Sequence, residues 1–98
     1  MVLERLRDHE AELRKLGVDS LSLFGSVARD EENETSDIDL AVKFNPDLMP
    51  RGLAYFGFLD ALQVQLERTL GRRVDVVPEP TARASIQREI DRDRVLAF

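Results

Sequence analysis

Residues 37–44 alternate without a break, and the alternation fixes which side chains share a face of the strand they form. Ile38, Leu40, Val42 and Phe44 fall to one side; Asp37, Asp39, Ala41 and Lys43 fall to the other. Aspartate is disfavoured in strands, so two on one face suggest a purpose. Their Cα atoms lie about 7 Å apart, two strand rises, which lets both carboxylates converge on the same divalent ions.

Upstream, Leu21-Ser22-Leu23-Phe24 is a short apolar run that ends in Gly25-Ser26, the pattern of a strand turning sharply into a helix. Gly25 has no Cβ, so the backbone can take up a strained turn and let a phosphate come close. Ser26 and the residues after it sit where free N–H groups and a helix N-terminus favour an anion. A third carboxylate is needed to hold two metal ions and activate an attacking hydroxyl. Asp75, in the strand-like run Arg73-Val74-Asp75-Val76-Val77, is the best candidate. A strand pairing beside the first, about 4.8 Å away, would bring it to the same cluster.

Charge explains why cations are expected. A triphosphate carries about four negative charges, and three aspartates add to them within a few ångströms. A pair of Mg2+ ions would balance that charge and stabilise both attacking and leaving oxygens. Hard oxygen ligands and the absence of Cys argue against zinc.

The rest of the chain supplies the covering. Leu3, Leu6, Leu13 and Leu16 predict a first helix over about residues 2 to 16, stopped by Gly17. Asn45-Pro46-Asp47 and Met49-Pro50 mark a loop. Phe56, Leu59, Leu62, Leu66 and Leu70 then define a long amphipathic helix ending at Gly71, expected on the apolar face of the sheet, opposite the carboxylates. Pro78 and Pro80 end the Asp75 strand, and Thr81 is expected to cap a last helix carrying Ile86 and Ile90. The tail Val95-Leu96-Ala97-Phe98 reads as a further strand or a partner-docking surface. No repeat, linker or composition break divides the chain, which predicts a single α/β (α+β) domain over residues 1–98.

Composition narrows the class. With 43% hydrophobic and 34% charged residues, neither disorder nor a membrane protein is indicated. No run approaches the roughly 20 apolar residues of a membrane span, and the first residues lack a signal-peptide core, so a cytoplasmic protein without membrane contact is expected. The net charge of −5 argues against gripping a nucleic-acid backbone. Arg72 and Arg73 form an adjacent basic pair and read as a solvated connection. His9 reads as solvated, and Tyr55 and its Phe neighbours as helix packing.

Gly25-Ser26, ten residues, then Asp37-x-Asp39 is similar to the signature of the polymerase-beta-like nucleotidyltransferase superfamily, and the chain resembles its minimal, single-domain branch. The likeness extends over Gly-Ser-x-Ala-Arg, Ser-Asp-x-Asp-Leu, the long helix and the Asp75 strand, which is nearly the whole chain. It implies the nucleotidyltransferase fold, a small mixed sheet covered by helices on one face. It implies a catalytic and metal-binding set of Asp37, Asp39 and Asp75 holding two Mg2+ ions, with ATP bound by Gly25, Ser26 and Arg29. Arg29 either positions the triphosphate or the loop, or balances its acidic neighbours as a weak surface pair. Minimal nucleotidyltransferases of this kind are commonly antitoxins that silence a HEPN-domain ribonuclease toxin by AMPylation, moving AMP from ATP to a tyrosine. The resemblance thus implies a hetero-oligomer with such a toxin. Two alternatives stand: transfer to a small-molecule hydroxyl, and a non-catalytic antitoxin that neutralises by contact. One departure is Asp30, which replaces the family's usual Gly and opens the run Asp30-Glu31-Glu32-Asn33-Glu34 beside the phosphate site; it bears on affinity for the triphosphate.

Overall fold

Alternating sequence becomes paired strand wherever the chain is described, in a computed structural model that covers residues 2–29 and 37–98. Asp30 and the acidic run after it lie outside the described residues, as does Ser36. Two short helices, α1 (Val2–Asp8) and α2 (Glu10–Leu16), lead into strand β1 (Val18–Phe24) and a single helical turn, α3 (Gly25–Ala28). Strand β2 (Ile38–Phe44) follows, then a 3-10 turn (Pro46–Leu48), the long helix α4 (Leu53–Leu70) and strand β3 (Val74–Pro78). Helix α5 (Ala84–Asp93) and strand β4 (Val95–Leu96) close the chain. The sheet runs β3-β2-β1-β4; β2 is antiparallel to β1 and parallel to β3, and β4 is antiparallel to β1, so the sheet is mixed.

The apolar face carries the main core. Leu21, Leu23, Ile38, Leu40, Val42 and Val74 from the strands meet Leu6, Leu13, Leu62, Leu66 and Leu70 from the helices. Burying each such side chain is worth about 1.5–3 kcal/mol, which makes this layer the principal driving force for folding. Helix α4 therefore lies on the face opposite the carboxylates, as its periodicity predicts.

Four details differ from the sequence expectation, each for a local reason. The first helix is broken at His9, whose amide donates to the carbonyl of Leu6 at 3.2 Å. Its ring nitrogen Nδ1 donates to the carbonyl of Arg5 at 2.9 Å, taking the acceptor a continuous helix would have used. Phe56 is 62% exposed rather than part of the buried stripe, because six residues from Leu62 it stands about a third of a turn off the core-facing line. Phe58 packs there instead, edge-on to Phe44 with ring centroids 5.5 Å apart. Thr81 does not cap α5: its hydroxyl accepts from the amide of Arg83 at 3.3 Å, and the helix starts three residues later at Ala84.

The fourth difference positions the site. Helix α5 packs on the other face of the sheet, where Ile90, fully buried, meets Phe24 and Ala41 with Ile86 and Val77 alongside. A small second core thus covers part of the carboxylate face and leaves the rest as the floor of a cleft.

Candidate active site

The site is built where three elements meet on the carboxylate face. Asp39 and Asp75 are direct partners in the parallel pairing of β2 and β3, in adjacent strands about 4.8 Å apart. Asp37 stands one residue before β2 and is exposed. Gly25 opens α3 with φ +75°, a conformation that L side chains avoid, and a Cβ added there would run into Oδ2 of Asp39. The Gly-Ser turn and the second aspartate of the pair are therefore in contact. Ser26 follows in the same turn, and Arg29 ends it, its amide donating to the carbonyl of Gly25 at 3.1 Å.

A cleft of about 320 Å3 opens beside these groups, lined by Asp39, Asp75 and Glu89 with an apolar wall that includes Phe24, Val77 and Ile86. Burial, followed by the charges of Asp75, Glu89 and Asp37, pushes the Asp39 carboxyl up from 3.8 to about 6; Arg29 offsets only part of this. The cleft is thus a place where negative charge accumulates without enough compensation from the protein. Among the described residues, no three His, Asp or Glu side chains stand close enough together to clasp one ion. The donor chemistry still suits Mg2+: hard carboxylate oxygens on one face, two in register and one at the strand entrance, with an excess of negative charge.

Glu89 is a site residue that sequence reasoning missed. The available signal was on α5, where Glu89 and Asp93 are four residues apart beside the Ile86 and Ile90 stripe, so packing that stripe on the sheet brings both carboxylates to the site. Arg29 meets them: its guanidinium lies 2.6 Å from Asp93 and 4.0 Å from Glu89.

The nucleotidyltransferase domain family matches residues 4–97, all but a few residues of the chain. The chain belongs to this family. Among its relatives is the protein adenylyltransferase MntA of Thermococcus cleftensis, 36% identical over 93 residues that cover 92% of this chain and 86% of the relative. Solved structures that share the fold of this nucleotidyltransferase include two toxin-antitoxin complexes. A toxin-antitoxin with AMP-PNP has a TM-score of 0.69 at 20% identity, covering 94% of this chain and 72% of that one. A tri-AMPylated Shewanella oneidensis HEPN toxin in complex with MNT antitoxin gives 0.65 at 19% identity, covering 100% and 72%. No described helix of this nucleotidyltransferase is long and apolar enough to cross a membrane.

Proposed function

We propose that this nucleotidyltransferase is a cytoplasmic protein adenylyltransferase, the antitoxin of a toxin-antitoxin pair, which moves AMP from ATP to a tyrosine hydroxyl of a HEPN-domain toxin. The observation that carries the reading is the meeting of the Gly25 turn, Asp39 and Asp75 on one side of the sheet. The name of the Thermococcus relative supports the activity; the AMP-PNP complex and the AMPylated HEPN toxin support the nucleotide and the partner. The net charge of −5 favours a protein acceptor over a nucleic acid.

Gly25 and Ser26 present backbone amides to the phosphates. The helix they open is a single turn, so these local N–H groups rather than a long helix dipole hold the anion. Asp37, Asp39 and Asp75 are the residues that would hold two Mg2+ ions, which would supply positive charge to neutralise the triphosphate and polarise the transferring phosphoryl group. Asp75 takes the proton of the acceptor hydroxyl as the new O–P bond forms and pyrophosphate leaves. The partly covered cleft beside the carboxylates offers a place for the acceptor side chain, so positioning supplies much of the rate.

Co-expression with a HEPN-domain protein of the same genome, followed by intact mass of that protein, tests the proposal. One or more AMP-sized additions that vanish when Asp39 is replaced by Asn are expected. A stable complex whose HEPN partner keeps its unmodified mass contradicts it.

A further inference from the structure

Arg29 reaches across to α5. Its Nη1 donates to Oδ2 of Asp93 at 2.6 Å and stands 4.0 Å from Oε1 of Glu89. Asp93 is held in turn by Arg92, whose Nε and Nη2 donate to its two oxygens at 2.9 and 3.1 Å. The Asp93 side chain is only 4% exposed, against 34% for Arg29, so the acid is the fixed end of the pair. Ile90, one turn before Asp93 on the same helix, is buried against Phe24. The turn is thereby fastened to α5 on both sides of Gly25-Ser26, by an apolar contact at Phe24 and an ion pair at Arg29.

We propose that Asp93 is a positioning residue for nucleotide binding: by holding the Arg29 guanidinium it fixes the turn from Gly25 to Arg29 against α5, and with it the amides that face the phosphates. The inference rests on the reading of that turn as the phosphate site. It assigns Arg29 a structural grip on α5, because a guanidinium already engaged by carboxylates offers less attraction to a phosphate.

The test is ATP affinity with Mg2+, by titration calorimetry, for the native chain, Asp93→Asn, Arg29→Gln and the double variant. Each single change is expected to weaken binding about tenfold, and the double change by clearly less than the two losses combined, since both remove the Arg29–Asp93 pair. Asp93→Glu is expected to recover most of the loss. Glu10→Gln, which breaks the exposed pair with Arg14 far from the turn, is expected to bind ATP as the native chain does. Native affinity in Asp93→Asn, or losses that add in the double variant, would overturn the inference. Transfer is measured in parallel: ATP binding without transfer by the native chain counts against the proposed reaction alone, and leaves this inference to be decided by the affinities.

Discussion

Gly25 and Asp39 approach so closely that a methyl group on Gly25 would collide with the Asp39 carboxylate. The contact joins the Gly-Ser turn to the strand that carries Asp39, and it brings the two halves of the motif together on one side of the sheet. Gly25→Ala is expected to lower kcat/KM for ATP about a hundredfold, because it forces a positive φ on alanine and displaces a site carboxylate. Steady-state kinetics of the variant, with circular dichroism to establish that it folds, check this.

Burial and the neighbouring carboxylates hold the Asp39 carboxyl above its ordinary range, at about 6. It binds its proton more tightly in the folded chain, so its stabilising contribution is full below 3.8 and is lost as pH rises through about 6. Asp39→Asn is therefore expected to stabilise the metal-free protein at pH 7 by about 1 kcal/mol, a value reduced to allow for solvent screening of this partly exposed group. Thermal melts at pH 7 and pH 3 check it: the gain should be present at the first and absent at the second.

Glu79 acts in the opposite direction. Burial favours its protonated form, but hydrogen bonds from Arg94 and Gln87 and the charge of Arg94 outweigh this and hold the carboxyl below its ordinary 4.5. Arg94 grips both its oxygens, at 2.9 and 2.6 Å, and also reaches the buried hydroxyl of Ser22. The stability this pair gives is present above the ordinary value and is lost as pH falls through the lowered one. Glu79→Gln is expected to cost about 2 kcal/mol at pH 7 and to leave less acid sensitivity, as read by urea unfolding across pH.

Asp75 is exposed at the mouth of the cleft, so replacing it tests chemistry rather than folding. Asp75→Asn is expected to leave the melting temperature within a few degrees and to reduce transfer at least about a hundredfold. Kinetics and a melt on the same sample separate the two effects.

Much of the fold was legible because the strands and long helix are written in local periodicity. The alternation from Ile38 to Phe44 fixes a face without reference to the rest of the chain, and Leu62, Leu66 and Leu70 do the same for α4. The parallel register that sets Asp39 beside Asp75 was expected only on condition that the two strands pair, since pairing joins segments far apart in sequence. The crossing of α5 over the carboxylate face was not legible. Ile86 and Ile90 announce an apolar stripe but not which face of the sheet receives it, and so Glu89 and the grip of Asp93 on Arg29 stayed hidden.

Transfer of a nucleotide to a protein by the aspartates on this face is the reaction proposed. Its most direct test is incubation of the native chain and the Asp37→Ala/Asp39→Ala double variant with host lysate and Mg2+, using α-labelled and γ-labelled ATP side by side. The expected result is a protein band that takes label from the α position, takes none from the γ position, and is lost in the double variant. An aspartate-dependent band labelled from the γ position, or an α-labelled band that survives loss of both aspartates, would contradict it.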